Sequence, residues 1–248
     1  MKISIITVCK NAEATIERAI KSVIDQDYQD IEFIVIDGKS NDKTLSIINR
    51  YRNFIDLLIT EKDNGVYHAM NKGIKYAKGE YVGFLNADDF FIDNQTISKI
   101  FFEINKGKYD IFYADINVVN KNQKILQYWK TGQYYKNSFT FGWHPPHPSL
   151  YIKRKIYSEI GNYNETYKFS ADFDFMLRLF ELNSYSSIYY PKPIVNYQLG
   201  GGSSKNIRNI IIGNFNIFDS LMKNKVKFNF FKFYFYRFLP KLKRLLRF

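Results

Sequence analysis

An α/β fold with a mostly parallel central sheet flanked by helices is what this sequence predicts, on three observations. Strand-like and helix-like segments alternate through the first 90 residues, and such alternation builds βαβ units. The strand-like runs are β-branched and apolar, the mark of buried strands. Polar and acidic residues gather directly after those runs, where open α/β sheets hold their ligands.

Each element follows from its pattern. Lys2 to Cys9 (KISIITVC) is the first buried strand. Ile16, Ala19, Ile20, Val23 and Ile24 recur at helical spacing, which predicts a helix over Ala12 to Ile24 capped by Asn11. Ile31 to Asp37 is the second strand, and GKSND is a turn before a short helix from Lys43 to Tyr51. Ile55 to Thr60 is the third strand. Val66 to Ala77 is helical, with Gly79 placed to terminate it. Glu80 to Asn86 is the fourth strand. Beyond it, Thr96 to Asn105 reads as a helix, and YDIFYADINVV and KILQYW as two strands around the turn NKNQ. A loop containing WHPPHPS follows, then helices over Lys153 to Ile160, Asp172 to Leu182 and, after the glycine run at Gly200 to Ser204, Asn209 to Met222. The expected division is a catalytic domain over 1–205 and a basic, aromatic helical extension over 206–248.

Composition bounds the function. A chain of 248 residues is one large domain, or one domain with an appendage. Its 46% apolar and 24% charged residues exclude a disordered chain, a collagen and a coiled coil. Cys9 is the one cysteine, so no intrachain disulfide forms and a reducing, cytoplasmic compartment is expected. The N-terminus has no signal-peptide pattern, and no run reaches the roughly 18 apolar residues of a membrane span. The net charge is +12, but Lys223 to Phe248 holds nine Lys or Arg and no acid, leaving +3 for the rest. The domain and its tail therefore need separate explanations.

The residues beyond the strand ends are Thr7 to Asn11, Asp37, Glu61 to Asn64 and Asn86 to Asp89. TVCKNA after the first strand is neither GxGxxG nor GxxxxGK[ST], which argues against a dinucleotide-binding Rossmann site and a P-loop. Asp37 suits a ribose hydroxyl or a base N–H, or equally its own turn DGKSND. In LNADD, Asn86, Asp88 and Asp89 crowd one strand end. Acids so close repel unless a cation or hydrogen bonds compensate, and a hard divalent ion shared with substrate phosphates does so economically. The plainer reading is a capping cluster for the helix after Asn94. His144 and His147, three apart among prolines, read as loop residues rather than a metal pair. Cys9 reads as simply buried, and Asp25, Asp27 and Asp30 as a solvated helix end.

TVCKN, IVIDGKSNDKT, EKDNGVYHAMNKGI and FLNADD, in that order, resemble a family-two glycosyltransferase of the GT-A fold. HPSLYIKRKIYSEIGNYNE and SADFDFMLRL resemble that family's acceptor-side blocks, so the likeness runs from Lys2 to about Leu199. It points to bacterial enzymes that build capsule, O-antigen or exopolysaccharide units. The resemblance implies that Thr7, Asn11 and Asp37 contact the nucleotide, that Asp63 joins the base pocket and that Lys72 approaches the diphosphate. The family's metal motif, Asp-x-Asp, reads Asn86-Ala87-Asp88 here. Asn86 can bond ribose but brings no charge. Binding of Mn²⁺ or Mg²⁺ then rests on Asp88 and the diphosphate oxygens, with Asp89 as a second ligand. His147 matches a position near the active site and is expected to contact diphosphate or acceptor.

The implied chemistry is one inverting displacement. The acceptor hydroxyl attacks the anomeric carbon opposite the leaving diphosphate, and a carboxylate takes its proton. Two acids in SADFDFMLRL compete for that role, and residues two apart lie about 200° apart on a helix. Phe173, Met176, Leu177 and Phe180 define the buried face, which places Asp172 on its flank and Asp174 toward solvent beside Arg178 and Glu181. Asp172, which also matches the family's base position, is the expected base; a plain capping aspartate is the alternative.

The tail interleaves nine cations with nine aromatics. Contact with an anionic membrane surface is the first reading, packing on the domain the second and nucleic acid a distant third. The expectation is therefore a peripheral enzyme on the inner face of the cytoplasmic membrane. It would take a nucleotide-sugar donor of the UDP type and a glycan or lipid-linked saccharide acceptor, and no nucleic acid. A sugar nucleotidyltransferase would carry a glycine-rich, arginine-containing loop after the first strand, which is missing. A non-catalytic membrane-binding module would leave Asp37, Asp88 and Asp172 without a joint purpose.

Overall fold

The structure is a computed structural model that describes residues 1–200 and 207–235. The expected first half is present: β1 (Ile3–Cys9), α1 (Ile16–Ile24), β2 (Ile31–Asp37), α2 (Thr44–Arg50), β3 (Leu57–Thr60), α3 (Val66–Tyr76) and β4 (Tyr81–Phe84). After it come β5 (Phe90–Phe91), α4 (Thr96–Gly107), β6 (Ile111–Val119), β7 (Ile125–Trp129), β8 (Tyr151–Lys153), α5 (Arg154–Ile160), α6 (Ala171–Glu181), β9 (Ser187–Gln198) and α7 (Ile207–Lys223). A short helical segment covers 230–235.

The sheet runs β3-β2-β1-β4-β8-β6-β9-β5, with β7 hairpinned onto β6. Its first four strands are parallel. From β4 onward the directions are mixed: β8 is antiparallel to both β4 and β6, while β9 is parallel to β6. Four of the eight described pairings are thus parallel, so the parallel character belongs to the first half rather than to most of the sheet. Sequence reading missed β9 because Pro191 and Pro193 lie inside it, and proline is excluded from central ladders. The structure accommodates them in a bulge, where the register jumps from Ala114 opposite Tyr190 to Asp115 opposite Pro193.

Two apolar clusters cover the two faces of the sheet. One packs α1, α2 and α4 through Ile16, Ile20, Ile48, Ile97 and Ile100. The other packs α3, α5, α6 and α7 through Met70, Ile74, Ile156, Met176 and Leu221. At about 1.5–3 kcal/mol for each fully buried large side chain, these layers hold the strand ends in register. Gly79 does not end α3, which stops at Tyr76 with Ala77 extended. A Cβ on Gly79 would sit 2.4 Å from the Ser4 backbone nitrogen, so its glycine serves close approach to β1. Asn11 does not cap α1 either: the cap position is Thr15, without a side-chain bond, and Asn11 turns the chain at φ 51°.

Candidate active site

The loops after β1, β2 and β3 are laced together. Asn11 Oδ1 accepts from Asn41 N–H at 2.9 Å, and Asn11 N–H donates to Ser40 Oγ at 2.8 Å. Asp37 is fully buried, and its oxygens accept from the Ser40 N–H, the Ser40 hydroxyl and the Cys9 thiol. The turn reading of Asp37 therefore describes its present partners. Burial, then the charge of Asp37, pushes the Cys9 thiol far up, so Cys9 is an inert buried thiol as expected. Thr7 is also inaccessible, and its Oγ1 has no hydrogen-bond partner among the described residues.

Asp63 lies against this turn, since a Cβ on Gly38 would meet its Oδ2 at 3.0 Å. Lys72, from α3, binds Asp63 at 2.5 Å and Glu61 at 2.7 Å. Its charge is thus matched by two carboxylates, and its direct effect is to orient Asp63. His68 Nδ1 stands 3.3 Å from the same Asp63 oxygen.

The acid pair follows β4. Asp89 is fully buried; its Oδ1 accepts the Gln198 N–H at 3.0 Å, and its Oδ2 faces Asn86 Nδ2 at 3.4 Å. Burial pushes the Asp89 carboxyl well above the usual range and Asp88 adds to the push. Burial raises Asp88 as well. Arg18 of α1 is the cation that acts on both. Its Nη2 donates to the Asp88 carbonyl at 2.9 Å and to Gln198 Oε1 at 2.7 Å, and its guanidinium stacks 4.3 Å from the Phe90 ring centre. Arg18 Nε and Asn86 Oδ1 are buried without a hydrogen-bond partner. Arg18, Gln198 and Asp89 thus tie the acidic loop to the end of β9. The capping alternative for this cluster fails: the position before α4 is Gln95, and Asp93 is the acid that bonds the first turn.

Among the described residues no three His, Cys, Asp or Glu side chains surround a common point. A divalent ion still fits the donor set in one way. Asp88 and the unpartnered Asn86 Oδ1 are the protein oxygens that such an ion would meet here. Asp89, the second expected ligand, accepts from the Gln198 N–H and from Asn86 Nδ2.

On the opposite side, Asp172 sits half-buried in the first turn of α6 and accepts the Tyr67 hydroxyl at 3.1 Å. Burial, then Asp172, drives the Tyr67 phenol far up, so it remains a donor. His147 is buried, and its Nε2 pairs with the Tyr163 hydroxyl at 2.7 Å. Burial holds its imidazole below the usual value, against the pull of Asp172. Burial pushes the Tyr197 phenol up, and the charges of Asp89, Asp88 and Asp172 add to the push.

Asp174 does not face solvent, contrary to the sequence expectation. It is 4% exposed, pairs with Arg178 Nε at 3.0 Å, and accepts from Ser220 Oγ at 2.7 Å and Asn224 Nδ2 at 3.2 Å. Glu181 is buried too. Nine of the eleven residues of α6 are buried because α7 covers its outer side, so no solvent face remains for an acid to choose. Asp172 stays the free acid of the two, for the different reason that Asp174 is fully engaged. Sequence reading missed Tyr67, Tyr163, Tyr197 and Arg18. The position of Tyr67 inside the EKDNGVYHAMNKGI block was the one available signal.

The fold agrees with comparisons to known proteins. The chain is 30% identical over 208 residues to the PGL/p-HBAD biosynthesis glycosyltransferase of Mycobacterium tuberculosis, covering 82% of this chain and 79% of that one. It is 34% identical over 124 residues to the Escherichia coli UDP-Glc:alpha-D-GlcNAc-diphosphoundecaprenol beta-1,3-glucosyltransferase WfgD, covering 50% of this chain and 49% of WfgD. Residues 1–349 of Staphylococcus aureus TarS, solved with UDP-GlcNAc, superpose with a TM-score of 0.68 at 23% identity, over 82% of this chain and 60% of that one. The chain spans only 37% of the longer TarS chain. The family model described as Glycosyl transferase family 2 matches residues 4–173. With its mixed sheet and flanking helices of the GT-A kind, this chain belongs to glycosyl transferase family 2 and is a glycosyltransferase.

Proposed function

We propose that the chain transfers a sugar from a nucleoside-diphosphate donor of the UDP type to a hydroxyl of a glycan or lipid-linked saccharide, with inversion. The observations that carry this reading are the acid loop after β4, where buried Asp89 is held by the Gln198 N–H beside Asp88, and the half-buried Asp172 at the start of α6, which accepts the Tyr67 hydroxyl. The names of the mycobacterial relative and of WfgD support a surface-glycan role and a lipid-linked acceptor.

In this reading the laced loops of Asn11, Asp37 and Ser40 form the nucleotide end, with Thr7 beneath them. Lys72 holds Asp63 against Gly38 to shape the base side. Asn86 meets ribose or diphosphate oxygens. Asp88, with Asn86, would hold Mn²⁺ or Mg²⁺; when bound, that ion neutralises the charge developing on the leaving diphosphate. Asp172 takes the proton of the attacking hydroxyl through its free oxygen while Tyr67 fixes the other. His147, kept neutral by burial, bonds Tyr163 and stands beside Asp172 on the acceptor side. Peripheral contact with an anionic membrane through the basic tail fits a lipid-carried acceptor. No helix among the described residues is long and apolar enough to cross a membrane.

Calorimetry with UDP tests the donor side. Affinity should be higher with Mn²⁺ than with EDTA, and Asp88→Ala should remove that difference. Equal UDP affinity in both conditions for the parent chain would refute the metal assignment.

A further inference from the structure

Helix α7 is apolar on two sides. One side, with Gly213, Ile217, Ser220 and Leu221, is buried against α6. The other carries Ile207, Ile211, Phe215, Phe218 and Met222, at spacings of three and four that keep them on one stripe. That stripe faces solvent: Ile207 is 76% exposed and Phe215 68%. The segment after α7 folds back along it. Phe218 meets the rings of Phe228 and Phe230 at 5.6 and 6.0 Å, and Phe230 and Tyr234 close a groove of about 290 Å³ with Ile211 and Phe215. Phe231, next to the groove, is 81% exposed. A surface helix normally needs one apolar stripe, and large contiguous exposed apolar patches mark an interaction site.

Charge identifies the occupant. Arg208, Lys223, Lys225, Lys227 and Lys232 are all exposed on this helix and the segment behind it. The one acid on α7, Asp219, is paired with Lys223 at 2.7 Å and also accepts the Tyr167 hydroxyl. Aromatic and aliphatic side chains bordered by cations match the interface of an anionic bilayer, with rings at headgroup depth and ammonium groups on phosphates.

We infer that the outward stripe of α7, together with Phe230 and Phe231, is a folded membrane-binding face that inserts into the surface of an anionic bilayer. The inference rests on the proposal that the enzyme works at a membrane, and it extends the apolar anchor from the tail onto α7, which packs on the core. A Cβ on Gly213 would meet Ser170 Oγ at 3.1 Å, and Asn216 Nδ2 donates to the Phe169 carbonyl. The inserted helix therefore packs, through its inner side, on the start of α6, two residues from Asp172.

The test is co-sedimentation of the full chain with vesicles of phosphatidylcholine, with and without phosphatidylglycerol. The parent should bind the anionic vesicles and not the neutral ones. The double variant Phe215→Ser, Phe231→Ser changes only exposed rings. It should lose about tenfold or more of that binding, with Tm and UDP affinity unchanged. A chain ending at Phe235 should retain the ring-dependent part of the binding and lose part of the charge-dependent part. Parent binding that the double variant leaves within about twofold would overturn the stripe while sparing the tail reading. A parent that ignores anionic vesicles would overturn both. A lipid-free parent dimer that the double variant makes monomeric would assign the stripe to a second copy and overturn the inference.

Discussion

The β1–β4 side and the α6 side of the cleft differ in how their polar groups are satisfied. On the β1–β4 side, Thr7 Oγ1, Asn86 Oδ1 and Arg18 Nε are buried with no hydrogen-bond partner, and two adjacent acids are both pushed up by burial. On the α6 side, Asp172 already has Tyr67, His147 has Tyr163, and Asp174 has Arg178, Ser220 and Asn224. Unpaired buried polar atoms cost about 1–3 kcal/mol each. The comparison teaches that one side leaves polar groups unmet within the chain, whereas the other is already paired.

The largest expected effect separates two acids on the same prewired side. Asp172→Asn should lower transfer by about 10²-fold or more while UDP affinity stays the same. Asp174→Asn should leave the chemistry nearly intact and instead destabilise the fold by about 2–3 kcal/mol, because it strips the carboxylate from a half-buried guanidinium. In a chain of this size that is a fall in Tm of roughly 5–10 °C. Kinetics and thermal melts on both variants decide the matter; the opposite ranking would erase the distinction between base and anchor.

Preorganisation itself is probed next. Tyr67→Phe removes the hydroxyl that fixes Asp172 and should cost about tenfold in kcat, with little change in KM for the donor. An unchanged kcat would mean that the α6 side is no more prepared than the other.

The smallest effect concerns His147. Burial holds its imidazole below the ordinary value, with Asp172 opposing. As pH falls through the usual imidazole range, the unfolded chain takes up a proton that the folded chain refuses, so stability declines toward acid. His147→Gln should flatten that decline, a matter of a few degrees in Tm when melts at about pH 7.5 and pH 5.5 are compared. An acid-side decline equal to the parent's would place the responsible group elsewhere.

The same division governs what could be read from the sequence. Asp37, Asn86, Asp88 and Asp89 follow apolar strands directly, and strand ends are visible in local pattern, so these positions were legible. Asp172 was legible as an acid at a helix start, but the facial argument that selected it assumed a solvent side that α7 covers. Tyr67, Tyr163 and Tyr197 were hidden among 43 Phe and Tyr residues, with nothing local to set them apart. Their roles come from contacts across 105 residues for Tyr67 with Asp172, which no window of sequence contains. The strand β9 was hidden by its own prolines, and with it the Gln198 amide that holds Asp89.

That amide has a consequence in time. Gln198 lies 109 residues after Asp89, and its N–H is the backbone donor that anchors the buried acid. A ribosome adding roughly 5–20 residues per second needs about 5–20 s to travel from one to the other. Throughout that interval the emerging chain holds the residues of β1 to β4 but lacks the amide that fixes the loop after β4. The acid loop is thus fixed by the last strand among the described residues, and a chain arrested before it would carry Asp88 and Asp89 without the clasp that sets them.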